Sequence, residues 1–439
     1  MKVALVTNNL YPEALGGTEL YCYQLANALI GNGNEAYWFV PNLNKNFTAT
    51  EERGNGIKIV KFALFDKHGA SPLTFITASF IAEMKARDIR VAHFHEFGGP
   101  EGISKELLAE TKKAGIATVV TLHLVSYACQ TGLLHYGGVV PCNGKIIPNR
   151  CSSCCFFSNK TSSASLNLAL TNVFSGLFKL KPVQSIPRIK RFMNGVNMKA
   201  TFIASVRENA DVIVTLTKWF RDVLLINGFD EKKIKYIEQV SPEFDSSKYG
   251  TSASLRKNYV FIGRINKEKG VDLLLSLSAK LKKELPGVLI DMYGPYQPAK
   301  ILPHTIVDDL EDYDNVRYLG SLPPDEVLPV MSKYKAVILP SRVAEMAPLI
   351  IMEANKLKMP VIASDVPGSA ELVKQTECGV IFKYSSAEDL FKKIIEVENN
   401  VHEFAFKQPA ENSFHHTAGK YEAIYTACLD QYEGAKKLN

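Results

Sequence analysis

Residues 259–272 read YVFIGRINKEKGVD: a short apolar run, then a basic loop bounded by glycines, then the start of a helical pattern. Strand, loop and helix in this order form the repeating unit of a parallel sheet that helices cover on both faces. Apolar runs of strand length continue the series at 288–293, 316–318, 336–339, 361–363 and 379–382. This half of the chain is therefore predicted to form an open α/β sheet.

The first half of the chain shows the same alternation. Strand-length runs occur at 3–7, 36–40, 57–62, 91–94 and 118–122, and helical patterns separate them at 19–30, 72–85 and 104–114. A less regular segment, 126–195, looks like an insert, after which strands are predicted at 212–216 and 234–238. We therefore predict two Rossmann-like α/β domains with mainly parallel sheets.

A linker is predicted between the two halves. Residues 241–257 include Pro242, Gly250 and five serines, a composition typical of linkers. The predicted domains are then 1–240 and 258–414. The last helical pattern could pack on either half, and we assign 415–439 to the first domain.

Length and composition favour a soluble two-domain enzyme. A chain of 439 residues is too long for one core, and 46% hydrophobic with 22% charged residues is an ordinary globular balance. The net charge of +6 fits an anionic small ligand or transient contact with an acidic membrane, and does not require nucleic acid. No apolar run approaches the roughly 20 residues that span a bilayer. Because the first residues read as a strand, no signal peptide is expected; we predict a cytoplasmic protein with reduced cysteines.

Three loops that follow strands contain residues suited to a phosphorylated sugar ligand. Gly16 and Gly17 precede the first helix, where backbone can approach an anion, although a simple tight turn would look the same. Arg264 and Lys269 lie in the loop quoted above and could hold a diphosphate, or form a solvated basic loop. Glu345 follows the strand at 336–339 and Glu353 lies in the next helix, where glutamates are often merely solvated.

In this order the three loops resemble the retaining glycosyltransferases of family 4, which have the GT-B fold. The resemblance covers nearly the whole chain. It includes the motifs at 93–95, 119–123, 209–215, 234–237, 261–264, 293–295, 318–320, 339–342, 345–354 and 360–365. It implies two Rossmann-like domains whose sheets face each other across a cleft, and transfer of a sugar from a nucleoside-diphosphate sugar, UDP-sugar being favoured over GDP-sugar. The implied acceptor is a glycan, a lipid-linked molecule or a small molecule, with a role in polysaccharide biosynthesis.

The resemblance also implies roles for individual residues. Arg264 and Lys269 would bind the donor diphosphate, Glu353 the ribose, and Glu345 and His123 would lie beside the transferred sugar. These implied catalytic residues act without an enzymic nucleophile and without a catalytic metal, so that stabilisation of the leaving group lowers the barrier. The full implied donor site comprises Gly16, Gly17, Gly263, Arg264, Lys269, Gly294, Leu319, Glu345, Met346, Ala347, Leu349 and Glu353.

Two features depart from the family pattern. Met346-Ala347-Pro348 replaces the usual Gly-Phe-Gly. Proline has no backbone N–H, so the hydrogen bond to the sugar that the family pattern implies at position 348 is missing, and the sequence does not predict which sugar is transferred. The linker lacks the usual Asn-Gly-Val-Asp. The alternatives are a sugar-nucleotide epimerase or phosphorylase of the same fold, and a non-catalytic sugar-binding scaffold.

The insert has two features of its own. Cys129, Cys142, Cys151 and Cys154 are predicted to form a structural zinc site, since the last two have the spacing of a metal knuckle; free thiols and a disulfide are the alternatives.

The stretch 177–193 mixes cations with apolar residues, which fits peripheral contact with an anionic membrane, although a solvated basic face fits equally.

Overall fold

The chain folds into two compact units, 1–240 with 412–439 and 241–411, in the computed structural model. The structure describes residues 1–14, 16–42, 48–53, 56–65, 73–98, 102–158, 164–240, 244–249, 256–296, 313, 315–400, 404–408 and 413–438. Most of the predicted linker, 241–243 and 250–255, lies outside the described residues.

Unit 1 is built on an eight-stranded sheet with the order β10-β9-β6-β5-β1-β2-β4-β3. All neighbouring strands are parallel except β3, which runs antiparallel to β4. The sheet strands are β1 (Lys2–Val6), β2 (Glu35–Asn42), β3 (Ala49–Arg53), β4 (Ile57–Ala63), β5 (Val91–Phe94), β6 (Ala117–Thr121), β9 (Val212–Thr215) and β10 (Ile234–Tyr236).

Helices cover both faces of this sheet, so its central strands are buried on both sides and read as continuous apolar runs. β3 was not predicted, because its sequence ATEER is polar and mostly exposed at the sheet edge. The helices outside the insert are α1 (Gly17–Gly31), α2 (Leu73–Ala86), α3 (Lys105–Lys113), α8 (Lys218–Ile226) and α15 (Phe414–Leu438).

The C-terminal helix α15 completes the core of unit 1. Its buried residues recur every three or four positions, as expected for one face of a helix. Tyr421 is fully buried, and its hydroxyl lies 3.0 Å from the hydroxyl of Tyr21 on α1. One face of the unit 1 sheet is therefore covered by the C-terminal segment of the chain. The residues that α15 contributes to this hydrophobic core are Phe414, Ala418, Tyr421, Tyr425 and Cys428.

The insert is more regular than its sequence suggests. Besides the small hairpin of β7 (His135–Tyr136) and β8 (Val140–Pro141), it contains α4 (Pro148–Phe157), α5 (Ala164–Leu177), α6 (Lys181–Gln184) and α7 (Pro187–Asn209). Pro187 begins the 23-residue α7, a position that proline tolerates because the first turn has no intrahelical bond for it to remove. A small core of Phe157, Phe178 and Ile189 joins these helices.

Unit 2 contains a six-stranded, wholly parallel sheet with the order β13-β12-β11-β14-β15-β16. All six predicted strands are present: β11 (Lys257–Ile262), β12 (Ile290–Tyr293), β13 (Val316–Tyr318), β14 (Tyr334–Leu339), β15 (Val361–Ser364) and β16 (Gly379–Phe382). The helices are α9 (Val271–Ser276), α10 (Ser278–Glu284), α11 (Pro324–Met331), α12 (Leu349–Lys356), α13 (Ser369–Thr376) and α14 (Ala387–Asn400). The α/β fold class predicted from the sequence is confirmed.

We predict that Tyr421→Ala lowers the free energy of unfolding of unit 1 by about 3–5 kcal/mol, the usual cost of deleting a buried aromatic side chain. Both tryptophans of the chain, Trp38 and Trp219, lie in unit 1, so their fluorescence during urea unfolding reports on this unit. The exposed neighbour Lys420→Ala is the matched control and should change the stability by less than about 0.5 kcal/mol. Equal stabilities of the two variants would contradict this assignment of α15 to the core.

Candidate active site

The candidate site in unit 2 lies where β11 and β14 end. These strands are neighbours in the sheet, so their carboxyl ends meet at one edge, the usual ligand-binding position in open α/β sheets. Gly270, at the start of α9, has a φ of +76°, and a Cβ there would lie 2.0 Å from the carbonyl oxygen of Pro340. Glycine is thus required for the loop after β11 to pack against the loop after β14.

Lys269, Glu345 and Ser341 form a polar cluster between these two loops. The Nζ atom of Lys269 lies 2.5 Å from Oε1 of Glu345, and the Ser341 hydroxyl donates to the same oxygen at 2.7 Å. Both charged side chains are about five-sixths buried, at 17% and 16% exposed. The structure therefore brings Lys269 and Glu345 together as an ion pair, which their separation in sequence does not reveal.

Arg264 differs from Lys269 in its surroundings. It is exposed at the end of β11, and among the described residues no acidic side chain pairs with it. Its positive charge is therefore available to an anion, whereas that of Lys269 is already balanced by Glu345.

Two glycines bring the ends of β11 and β12 together. A Cβ on Gly294 would lie 1.9 Å from the carbonyl oxygen of Gly263, and the φ of Gly294 is +139°. The carbonyl of Gly294 accepts a hydrogen bond from the hydroxyl of Tyr318 at 3.0 Å. The next residue, Leu319, is 46% exposed, so it presents an apolar side chain beside this close-packed backbone.

The remaining predicted donor residues lie at or in α12. Met346 is buried, while Ala347 and Leu349 are partly buried around Pro348, the residue that caps the helix. Burial raises the pKa of Glu353 to about 7, and no described side chain pairs with its carboxyl group. At neutral pH this group is therefore poised between its protonated and ionised forms.

Arg342 is a residue whose role the sequence did not reveal. Its Nη1 donates to Oδ1 of Asp272 at 2.6 Å and to the carbonyl of Lys267 at 3.2 Å. Its backbone N–H donates to the carbonyl of Glu268 at 2.8 Å. Arg342 thus fixes the loop after β14 to the loop after β11, and the only sequence signal for this is an arginine three residues after the end of a strand.

Gly16, Gly17 and His123 belong to unit 1. Gly16 caps α1, where a Cβ would lie 2.1 Å from the Glu19 carboxylate, whereas a Cβ on Gly17 would meet nothing within 4 Å. His123 follows β6, and burial lowers its pKa to about 3, so the imidazole is neutral at physiological pH.

A buried polar network lies behind His123. Nε2 of His123 is 3.1 Å from Nδ1 of His95, and His93 lies between the Tyr425 hydroxyl and the Thr121 hydroxyl, at 2.7 Å from each. Burial lowers the pKa of both His93 and His95 well below the usual 6.5. The family resemblance implies a role for His123 and includes the motif at 93–95, but it does not reveal the tyrosine of α15 that completes this network.

The predicted zinc site is not supported. Cys129, Cys142, Cys151 and Cys154 do line one cavity of about 40 Å³, together with Cys155. However, within the described ranges no group of three or more His, Cys, Asp or Glu side chains is arranged to hold a metal ion. Burial raises the pKa of the Cys151 thiol to about 11 and also that of Cys154, and all eight cysteines are free.

The family match with known proteins lies within unit 2. Residues 248–411 match the family model of glycosyl transferases group 1. A D-inositol 3-phosphate glycosyltransferase from Rhodococcus erythropolis is 27% identical over 246 residues, covering 48% of this chain and 55% of that protein. The chain spans about half the length of the curated relatives that it matches.

Similar solved structures extend over both units. Sucrose-phosphate synthase from Thermosynechococcus elongatus matches with a TM-score of 0.60 and 16% identity over 100% of both chains. HepE from Anabaena, in complex with UDP-glucose, matches with a TM-score of 0.56 and 14% identity over 99% of this chain and 100% of that one. The fold is that of the GT-B glycosyltransferases.

We predict that acid destabilises unit 1 through its buried histidines. Between pH 6.5 and 3 the unfolded chain binds more protons than the folded one, so stability falls as the pH falls through this window. For His123, a shift from 6.5 to about 3 amounts to about 2 kcal/mol lost between pH 7 and pH 5.

Urea unfolding at the two pH values, followed by tryptophan fluorescence, measures this loss. His123→Gln should reduce it by about 2 kcal/mol, whereas His415→Gln, at an exposed position on α15, should not change it. A pH dependence that is the same in both variants would show that His123 is not neutral in the fold.

Proposed function

We propose that this protein is a glycosyltransferase that transfers a sugar from a nucleoside-diphosphate sugar to a hydroxyl acceptor. The observation that carries the proposal is the cluster of Lys269, Glu345 and Ser341 at the carboxyl edge of the unit 2 sheet. A partly buried ion pair there, with the exposed Arg264 on the same loop, suits a ligand that joins a polyanion to a polyhydroxylated ring.

Arg264 and Lys269 are proposed to hold the diphosphate of the donor. A unit-charge pair at 4 Å contributes about 4 kcal/mol at an effective dielectric constant near 20. When the sugar leaves, the negative charge on the diphosphate increases, so fixed cations stabilise the transition state more than the bound donor. Because Lys269 already pairs with Glu345, the diphosphate would share this ammonium group rather than meet an isolated cation.

Glu345 is proposed to contact the transferred sugar and not to attack it. One of its carboxylate oxygens already accepts from both Lys269 and Ser341. A carboxylate held in this way is a poor nucleophile, which favours transfer without a covalent enzyme intermediate. This is consistent with the retaining, metal-independent chemistry that the resemblance implies, with His123 as a neutral hydrogen-bonding group.

Glu353, Gly294 and Leu319 are proposed to bind the nucleoside. An ionised Glu353 carboxylate can accept hydrogen bonds from both hydroxyls of a ribose, and binding those hydroxyls would offset the cost of its burial. The exposed Leu319 offers an apolar contact for the base. The complex of Anabaena HepE with UDP-glucose supports a UDP-sugar as the donor.

The acceptor is proposed to bind in a cavity of about 490 Å³ in unit 1. Three aromatic side chains of this cavity pack on one another: Phe97 lies edge-on to Phe202, which stacks on Tyr127 at 5.1 Å between ring centroids. Lys105 and Lys199 also line it, as does Glu106, which forms an ion pair with Lys105. Aromatic surface beside cations suits a glycan or lipid-linked acceptor with an anionic group, as in polysaccharide biosynthesis.

We predict that Arg264→Ala and Lys269→Ala each lower turnover by roughly 100-fold or more, by analogy with the loss of one oxyanion-hole donor. Release of nucleoside diphosphate from a panel of nucleotide-sugars measures this, first as slow donor hydrolysis and then with acceptors. Lys267→Ala removes an exposed cation from the same loop and is the matched control.

Near-normal turnover of the Arg264 and Lys269 variants at saturating donor would exclude both residues from the site. Formation of an epimeric nucleotide-sugar would favour the epimerase, and thermal stabilisation by the donor without turnover would favour the sugar-binding scaffold.

We predict that Glu353→Gln weakens donor binding by about tenfold or more while turnover at saturation is kept, because ribose contacts change little during the reaction. In the unsubstituted protein the donor affinity should rise between pH 6 and pH 8, as Glu353 with its pKa of about 7 ionises; in the variant it should be flat. Glu345→Gln should instead lower turnover with the donor affinity kept.

Isothermal titration of the donor at three pH values, with steady-state kinetics, separates the two roles. Glu326→Gln, on the exposed side of α11, is the control. If both glutamate variants changed only the Michaelis constant, the role proposed for Glu345 would be wrong.

A further inference from the structure

One long stretch of unit 1 contains no acidic residue. From residue 111 to residue 207, 97 positions include 12 lysines and arginines but no aspartate or glutamate. The whole chain carries only +6, so the remaining residues carry a net −6. The positive charge of this protein is therefore concentrated in the insert and its flanks.

Within this stretch, the corner formed by the end of α5, by α6 and by the start of α7 exposes apolar side chains. Val173 is 65% exposed, Leu180 52% and Ile186 47%, and Leu177 is exposed as well. Their neighbours Phe178 and Ile189 point inward and are buried in the small core of the insert. Single exposed apolar residues are ordinary, but four within 14 positions are a concentration that needs an explanation.

Cations are interspersed with these apolar residues. All of them are exposed, and none forms an ion pair with a residue in the part of the chain that the structure describes. Arg188 lies over the ring of Phe156, with 5.4 Å between the guanidinium carbon and the ring centroid. The five cations of this corner are Lys179, Lys181, Arg188, Lys190 and Arg191.

We propose that residues 173–191, the basic corner, dock on a lipid bilayer that contains anionic lipids. A bilayer surface offers phosphate groups to the cations and, just beneath them, hydrocarbon to Val173, Leu177, Leu180 and Ile186. A nucleic acid would attract the charges equally well but has no comparable apolar layer for four aliphatic side chains. None of the described helices combines the length and apolar character needed to cross a membrane, so the contact is peripheral.

This docking does not depend on the proposed function. If both proposals hold, sugar transfer takes place at the membrane surface. A protein held at the bilayer by unit 1 would meet an acceptor carried on a lipid without extracting it from the membrane. Docking through a few cations and aliphatic side chains is also reversible and sensitive to salt, because exposed charges are screened within about 10 Å at 0.1 M ionic strength.

Co-sedimentation of the full chain with vesicles tests the proposal. Vesicles of phosphatidylcholine with 30% phosphatidylglycerol should bind the protein, pure phosphatidylcholine should bind it at least tenfold less, and 0.5 M NaCl should release it. The triple variant Lys179→Glu, Lys181→Glu and Lys190→Glu should bind the mixed vesicles at least tenfold more weakly. The control reverses three exposed lysines elsewhere, Lys235, Lys283 and Lys374, with the same change in net charge.

A second variant, Leu180→Ser with Ile186→Ser, tests the apolar part and should also weaken vesicle binding. Slow donor hydrolysis without vesicles should be unchanged in all of these variants, which shows that they remain folded and separates this proposal from the previous one. Equal vesicle binding by the triple variant and its control would overturn the proposal. So would binding to single-stranded DNA that exceeds binding to vesicles, or vesicle binding that does not change in the serine variant.

Discussion

The ion pair between Lys269 and Glu345 depends on the order of strands in the unit 2 sheet. β11 and β14 are neighbours although 76 residues separate the paired side chains, and parallel neighbours end at the same edge. Gly270 lets the two loops come into contact, and Arg342 ties them together through Asp272. The geometry of the candidate site is therefore a consequence of sheet topology, which the local sequence at either loop does not encode.

Much of unit 2 follows from its sequence, because buried parallel strands are short apolar runs between polar helices. The same rule fails for β3, whose residues are mostly exposed, and for the insert, whose own hydrophobic core is small. The residues of the candidate site were recognised from their order along the chain. The sequence could not show how these side chains interact with their surroundings. In the structure Glu345 neutralises Lys269, Arg264 is exposed, and burial raises the pKa of Glu353.

In unit 1 the same limit appears in the histidines. His123 was singled out only through the family resemblance, which implies that it lies beside the transferred sugar. Its protonation state, however, depends on depth of burial, and the neighbouring His93 shares a hydrogen bond with Tyr425, from a helix more than 300 residues away. The C-terminal helix helps to bury this network, and burial keeps the imidazoles neutral at physiological pH.

Net charge is informative only when it is resolved along the chain. The value of +6 indicates a mildly basic protein, yet it is the sum of a segment with +12 and a remainder with −6. The two parts use their cations differently. At the candidate site Lys269 and Arg342 pair with carboxylates, which fixes loop geometry, whereas the five cations of the basic corner form no ion pair with a described residue. Exposed cations that lack acidic neighbours in the sequence and lie beside exposed aliphatic side chains are the groups that the proposed docking on an anionic bilayer would use.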